Sequence, residues 1–256
     1  MTITLDSAQG VWERSYLEID GHIDTTTQVT WIQAGQLHVD LRLASTFRQL
    51  PAVPLHQQTT EALLEIASIT AFAGVTHIED NQCTWTRQIN YQGPLLEPDV
   101  GILSWSGDVL VEKGMHSAYE EGWLSASNVP GCARVLRDAS GSLVFLCLVA
   151  ERFGLARANP AAMQQPISLE DSVRGALDAC DEGALIELFD QEFCIGTITH
   201  GYGVISDSSM PGRVGSRVFR LLDPLEEVSA IDVLQQDFLG ENSVKTYRCI
   251  SENMLQ

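Results

Sequence analysis

Charged side chains share strand faces with one another or with tryptophan and tyrosine in three short stretches of this sequence, an arrangement suited to acid–base chemistry. The stretches are "LHVDLRL", "CTWTRQIN" and "SAYEEGWLSA", and each alternates as a β-strand does, with successive side chains on opposite faces. If the strands close into a barrel, one face of each strand points into a common interior. The faces in question carry Asp40 and Arg42, then Trp85 and Arg87, then Tyr119, Glu121 and Trp123.

Guanidinium groups beside carboxylates could support catalysis in such an interior without a cofactor. Arg42 or Arg87 would stabilise negative charge that develops during the reaction. Glu121 or Asp40 would act as the base, and Tyr119 would donate a proton. The expected activity is that of a lyase, isomerase or cyclase of small-molecule or secondary metabolism, and no cofactor is expected.

Aromatic and imidazole side chains would form the walls around the ligand. A pocket with aromatic walls and a few charged groups suits a small, partly apolar molecule whose polar end is fixed by arginine and carboxylate. We expect this molecule to bind either inside a barrel or in the cleft between two lobes. The expected ligand-binding residues are Trp31, His38, Trp85, His116 and Trp123.

Arg87 raises a specific question, because strict alternation places it on the same face as Cys83 and Ile89. An arginine stays charged at any workable pH, so burying its side chain requires an anion beside it. That anion is either a protein carboxylate, with Asp40 and Glu121 as the candidates, or a group on the ligand. We expect the ligand to supply it.

Two other classes of function stay open. A non-catalytic carrier would have the same cavity, with every charged side chain paired inside the protein. A haem or non-haem iron protein would use histidine, and His38 and Asp40 with His116 or His200 have the residue types of an iron-binding facial triad. Because no three ligands fall at a recognisable spacing, we expect no metal.

Composition predicts a globular protein with reduced thiols. The chain has 256 residues and a net charge of −19, which makes nucleic acid and anionic membranes poor partners. The six cysteines form no CxxC pair, the first residues lack a signal-peptide pattern, and the longest apolar run, Leu143 to Ala150, is too short to cross a membrane. We therefore expect a cytoplasmic protein whose oligomeric state the sequence leaves open.

The order of predicted elements repeats once along the chain. Alternating strands precede and follow a helix at Glu61 to Ser68 in the first half. In the second half, a helix capped by Ser168 and ended by Gly183 precedes strands that begin at Ala184, and the segment from Pro224 to Leu239 is either strand or helix. This order predicts a mainly β protein with two antiparallel β-barrels, or two lobes of one β-rich body, each with a short helix, at residues 1–126 and 127–256.

Short motifs along the chain resemble those of one protein family. They are "WIQ", "LHVDLRL", "AFAGVTHI", "CTWTRQINYQ", "PDVGILSW", "LVEKG", "YEEGW", "DQEFCIG" and "DSSMPGR". Together they are similar to the bacterial relatives of the fungal Hri protein, over most of the chain and most densely from Trp31 to Trp123. The resemblance implies two lipocalin-like barrels in one chain, a calycin-type fold. The family has no generally assigned activity, so the resemblance implies no function.

Overall fold

The computed structural model describes residues 2–95, 97–158 and 167–250, and its first nine strands form an antiparallel sheet that closes on itself. Closure occurs because β1 pairs with both β3 and β9, while the short β2 extends the far end of β1. Eight strands therefore make the wall of this first barrel. The strands are β1 (Gly10–Ile19), β2 (His22–Asp24), β3 (Gln28–Ala34), β4 (Leu37–Leu43), β5 (Thr70–Glu79), β6 (Gln82–Asn90), β7 (Asp99–Ser106), β8 (Val109–Gly114) and β9 (Tyr119–Ser127).

The remaining eight strands close into a second antiparallel barrel. The two barrels confirm the predicted fold class, although the second lobe carries two α-helices rather than one. Within the described residues, no helix combines the length and apolar character needed to span a bilayer. The elements are β10 (Cys132–Arg137), β11 (Leu143–Val149), β12 (Arg152–Ala158), β13 (Gln191–Thr199), β14 (Tyr202–Ser208), β15 (Arg217–Arg220), β16 (Ala230–Gln236), β17 (Asn242–Cys249), α1 (Thr60–Ala67), α2 (Leu169–Asp178) and α3 (Glu182–Leu188).

The predicted lobe boundary, between residues 126 and 127, falls at the end of β9, and the outer limits, residues 1 and 256, lie outside the described ranges. The predicted Ser168 cap is confirmed, and the helix of the first lobe has a cap of the same kind. The side chain of Thr59 accepts a hydrogen bond from the Ala62 N–H at the start of α1. Ser168 does the same for the Asp171 N–H at the start of α2.

The elements after α2 differ from the prediction. Gly183 does not end α2, which stops at Asp178, and it lies instead in the first turn of α3. Helix α3 occupies the start of the stretch predicted as strand, because the Asp181 side chain accepts a hydrogen bond from the Ala184 N–H and caps a new helix. The segment left open by the sequence contains strand β16.

The two faces of β4 explain how the barrels are joined. Every second side chain from Leu37 to Leu43 is apolar and faces outward. These side chains lie in one hydrophobic cluster with outward-facing residues of the second barrel. Among these partners are Phe145 of β11 and Ile195 of β13. His38, Asp40 and Arg42, which alternate with the apolar residues, therefore point into the first barrel. The largest hydrophobic core thus lies between the barrels rather than inside either one.

The contact between the barrels is close enough to require a glycine on β12. A Cβ atom added to Gly154 would lie 2.9 Å from the Val39 Cβ and 3.4 Å from the Ile32 Cδ1, both in the first barrel. The Val39 Cβ is anchored directly to the backbone of β4, so it can move away only if the strand moves. A side chain at position 154 would therefore require the two barrels to move apart.

Replacement of Gly154 by alanine should lower the free energy of unfolding by about 1–3 kcal/mol, because the added methyl group overpacks the contact with Val39. Chemical denaturation of both proteins measures the difference. Gly175→Ala is the matched control, since nothing lies within 4 Å of a Cβ atom there and alanine favours the helix by about 0.5–1 kcal/mol. Equal stability of Gly154→Ala and the wild type would contradict this role.

Candidate functional site

A β-bulge in β6 determines which of its side chains enter the first barrel. Two residues of β6, Arg87 and Gln88, lie opposite Gly74 of β5, and the alternation shifts there. Arg87 stays on the inner face with Trp85, whereas Ile89 faces outward into the cluster between the barrels. The inner face of this strand therefore ends at Arg87. The prediction that Ile89 lies on the same face as Arg87 was wrong.

All five tryptophans of the chain pack together in the first barrel. Trp31 is at the centre, with its ring centroid 5.9 Å from that of Trp85, 5.7 Å from that of Trp123 and 6.0 Å from that of Trp12. Trp105 extends the cluster outward from Trp12. The structure thus brings together the three tryptophans predicted as ligand walls, and they contact one another.

Ion pairs link three predicted site residues to two further charged residues in the same barrel. The Arg14 guanidinium donates to Asp24 at 3.2 Å and to Glu121 Oε1 at 2.6 Å. Arg42 donates to the same Glu121 oxygen at 3.0 Å and, through Nε, to Asp40 at 2.8 Å. Burial raises the pKa of Asp40, although the neighbouring Arg42 opposes that rise. Arg42, Asp40 and Glu121 therefore serve one another as counter-ions.

The anion beside Arg87 is Asp99, which differs from the two predicted carboxylates and from the expected ligand. Arg87 Nη2 and Nε lie 2.6 Å and 3.0 Å from one Asp99 oxygen, and Nη1 donates to Asn90 at 3.3 Å. The Arg87 Cζ lies 3.5 Å from the centroid of the Phe72 ring, and the Arg42 Cζ lies 5.4 Å from it. Both guanidinium groups thus pack on one aromatic ring and retain separate carboxylate partners.

Glu112 is a buried carboxyl group without an arginine partner among the described residues. The Tyr119 hydroxyl donates to its Oε1 at 2.6 Å, and the Trp123 indole N–H donates to its Oε2 at 3.1 Å. Glu121 lies directly opposite it on β9. Burial, and then the charge of Glu121, raise the pKa of Glu112 to about 8. Glu112 is therefore a neutral acid at neutral pH, and the predicted proton donor Tyr119 is its hydrogen-bond partner.

The two histidines predicted to bind the ligand differ in burial. His38 is fully buried, and its Nδ1 lies 2.9 Å from the Thr76 hydroxyl. Because that hydroxyl donates to Gln33 at 2.8 Å, it accepts the proton of Nδ1, and Nε2 is left as an acceptor. Burial lowers the pKa of His38 to about 3, so the ring is neutral. His116 lies exposed in the turn between β8 and β9.

No three histidine, cysteine, aspartate or glutamate side chains are grouped as a metal site in the described part of the chain. His200, the other histidine considered for a triad, is exposed after β13. His38 and Asp40 do share the inner face of β4, as alternation predicts, but each has a protein partner of its own.

The interior of the first barrel retains little free space. The cavity between the tryptophans and the charged side chains is about 10 Å³ in volume, which is room for about one water molecule. Asp40, Arg42, Trp85 and Glu112 line it, together with the newly found Asp99. Ligand pockets are usually at least about 300 Å³, so this cavity admits a single polar group and not a whole metabolite.

A larger groove lies between the two barrels, with a volume of about 300 Å³. One wall is formed by the segment after β4, including Phe47, Arg48 and Leu50, and the other by the segment after β14, including Pro211 and Val214. The groove is thus the inter-lobe cleft that the sequence analysis offered as an alternative to a barrel cavity.

Asp99 and Glu112 were missed in the sequence, although the signal for Glu112 was present. The stretch "DVLVEKG" places Leu110 and Glu112 on one face, and strand alternation would have identified this carboxyl group. Arg14 was also missed, although alternation along β1 would have identified it in the same way. Asp99 is the first residue of β7 and follows a proline, so no alternating pattern precedes it to indicate its face.

Replacement of Arg87 by methionine should lower the free energy of unfolding by about 2 kcal/mol, because it leaves the largely buried Asp99 without a counter-ion. Denaturation followed by tryptophan fluorescence measures this, since every tryptophan lies in the first barrel. The double variant Arg87→Met, Asp99→Leu should recover part of the loss. Arg174→Met, which breaks an exposed pair with Glu170, should cost less than about 0.5 kcal/mol. A similarly small loss for Arg87→Met would contradict the pairing.

Comparisons with known proteins add little to this geometry. No family model matches the chain, and no curated protein matches it. A crystal structure of an uncharacterized protein from Saccharomyces cerevisiae matches with 9% sequence identity over 94% of this chain and 97% of that chain, with a TM-score of 0.49. A likeness at this level carries no argument about this chain.

Proposed function

We propose that the protein binds a small, partly apolar molecule in the groove between its two barrels. The observation that carries this proposal is the difference in volume between the groove, about 300 Å³, and the cavity of the first barrel, about 10 Å³. A metabolite with a ring or a short chain fits the first volume and exceeds the second.

The lining of the groove supports a ligand with both apolar and polar parts. Leu50 and Val214 lie on opposite walls and are partly exposed, so their apolar surfaces are available to a ligand. Arg48 and Asp207 add one charge of each sign. Asp207 already accepts hydrogen bonds from Gln28 at 3.1 Å and from a neighbouring serine hydroxyl, whereas Arg48 is exposed and has no ion pair among the described residues.

Binding without catalysis is favoured by the way the charges of the first barrel are arranged. Arg14, Arg42 and Arg87 each have a carboxylate within 3.2 Å. A carrier needs no reactive charge, and mutual pairing is what the carrier hypothesis predicted for these residues. We therefore assign the first barrel a supporting role and place the proposed ligand outside it.

Filling the groove from either wall should abolish binding. Val214→Trp and Ala52→Trp add bulk from the second and the first barrel respectively, and each should weaken binding of the neutral apolar dye Nile red at least about tenfold. Fluorescence titration of the dye measures the affinity, and its long-wavelength emission is separate from that of the added tryptophan.

Leu222→Trp is the control for added aromatic surface, because Leu222 is 75% exposed and lies outside the groove lining. Its affinity for Nile red should equal that of the wild type. Unchanged dye binding in both groove variants, or the same loss in the control, would refute the groove as the binding site.

A second candidate function, acid–base catalysis at the first barrel, is favoured by one observation. Glu112 is a neutral acid with a pKa of about 8, hydrogen-bonded to Tyr119 and facing the small cavity. A carboxyl group held near neutral pH can both donate and accept a proton during turnover. The lyase, isomerase or cyclase predicted from the sequence would use this group, with Arg42 stabilising negative charge on a polar group inserted into the cavity.

The pH dependence of stability tests the protonation of Glu112. Because Glu112 binds its proton more tightly in the folded protein than in the unfolded chain, unfolding releases this proton between pH 4.5 and pH 8. As pH rises through this window, the free energy of unfolding of the wild type should therefore fall relative to that of Glu112→Gln, by at most about 1.4 kcal/mol per pH unit. Glutamine is the neutral isostere: its oxygen can accept from the Trp123 indole, and its NH2 group can donate to the Tyr119 hydroxyl oxygen.

Denaturation curves at a series of pH values give this difference directly. Glu97→Gln is the control, because Glu97 is exposed and has no ion pair among the described residues, so its replacement should leave the slope between pH 5 and pH 8 unchanged. Parallel profiles for the wild type and Glu112→Gln would mean that Glu112 is ionised in the folded protein, and the acid–base candidate would then lose its support.

Three further expectations belong to the same proposal. The kinship with the bacterial relatives of the fungal Hri protein rests on the short motifs quoted above. A cytoplasmic location rests on the dispersed cysteines, and the exclusion of nucleic acid and membrane partners rests on the net charge of −19. A small molecule is the partner that the groove supports.

A further inference from the structure

One strand of the second barrel, β17, extends past the neighbouring strand that closes the barrel. Only Arg248 and Cys249 of β17 pair with β10, whereas β17 pairs with β16 from Asn242 to Arg248. Residues 242–246 therefore have a paired strand on one side only, within the described residues. We call this segment the free edge of β17.

Hydrogen bonds at the end of β17 show the direction of its backbone groups. The Cys249 N–H donates to the carbonyl oxygen of Ser229, just before β16, and the Ile250 N–H donates to that of Val135 on β10. Backbone groups of successive residues in an antiparallel strand point to opposite sides. Odd-numbered residues of β17 therefore face β16, and even-numbered residues face either β10 or the free edge.

Backbone donors and acceptors on the free edge have no backbone partner in the part of the chain that the structure describes. They belong to Asn242, Val244 and Thr246, whose side chains are exposed. The opposite edge of the same hairpin differs, because Arg213 donates to the Leu234 carbonyl oxygen of β16 at 2.6 Å. An exposed row of unpaired N–H and C=O groups is a template on which another strand can pair.

The charges at the free edge restrict which strand can pair there. Glu241 precedes the edge and Lys245 lies within it, and neither has an ion pair among the residues described. Antiparallel pairing of two identical strands brings the start of each beside the end of the other, on both sides of a two-fold axis. The acid of one copy then meets the base of its partner twice, so the edge is complementary to itself.

We propose that two copies of this chain pair antiparallel through their free edges and form a two-fold symmetric dimer. With Ser243 on the two-fold axis, the outward backbone groups of Asn242 meet those of the partner's Val244. Glu241 then lies opposite the partner's Lys245, in the type of pair whose side chains are closest. The free edge shares no residue with the lining of the groove, so this inference is independent of the function proposed above.

Sedimentation velocity over a range of protein concentrations, at physiological ionic strength, tests for the dimer. The wild type should show a reversible monomer–dimer equilibrium. Lys245→Glu and Glu241→Lys each place like charges opposite one another, so each should weaken dimerisation at least about tenfold. An equal mixture of these two variants should form heterodimers as tightly as the wild type dimerises, because unlike charges then face each other at both positions.

Val244→Pro tests the backbone pairing itself. It removes an N–H from the free edge and none from the pairing with β16, so the variant should keep its melting temperature and remain monomeric. Arg174→Glu makes the same change of charge as Lys245→Glu at an exposed position of α2 and should dimerise as the wild type does.

The charge variants decide the matter even if Val244→Pro does not fold, because Glu241 is exposed and Lys245 is only half-buried. A wild type that stays monomeric at every concentration would overturn the proposal and leave the edge to a partner other than a second copy. A dimer that survives Val244→Pro, or one that charge reversal leaves unchanged, would overturn it too, because the copies would then meet through another surface.

Discussion

The packing of the two barrels against each other, through the outer faces of their walls, constrains the rest of this structure. Small antiparallel barrels commonly direct apolar side chains inward and polar ones to solvent. Here the outer face of β4 meets the second barrel, so its alternate apolar residues, with Val39 at their centre, are buried outside the barrel. Strand alternation then directs His38, Asp40 and Arg42 inward. The polar side chains that β4 contributes to the interior of the first barrel are thus a consequence of the apolar interface.

Buried charges in that interior are compensated in two different ways. Arg14, Arg42 and Arg87 keep their charge, so each has a carboxylate beside it. Glu112, which faces Glu121 across the strands and has no cation beside it among the described residues, binds a proton instead. The cost of burying a charged group is offset either by a partner of opposite charge or by a change of protonation that makes the group neutral. Only a group of the second kind can exchange a proton with a ligand.

Local patterns in the sequence predicted much of this arrangement and missed the features that depend on strand pairing. Period-two alternation was sufficient to place Asp40, Arg42, Tyr119 and Glu121 on inner faces. It failed at Ile89, because a bulge depends on the register with the neighbouring strand. It also failed to pair Arg87 with Asp99, which belongs to the adjacent strand β7. Partners across strands follow from register, and a single sequence shows register only indirectly.

The reactive residue types are concentrated in the first barrel, whereas the ligand-sized volume lies outside it. Tryptophan rings and ion pairs fill the first barrel, and a filled interior resists change because each replacement leaves a cavity or an unpaired charge. The groove between the barrels is lined partly by segments between strands, such as the one that carries Arg48. Such segments tolerate substitution with little effect on the fold. The barrel interiors therefore maintain stability, whereas the segments that connect the strands can vary and so determine which ligand binds.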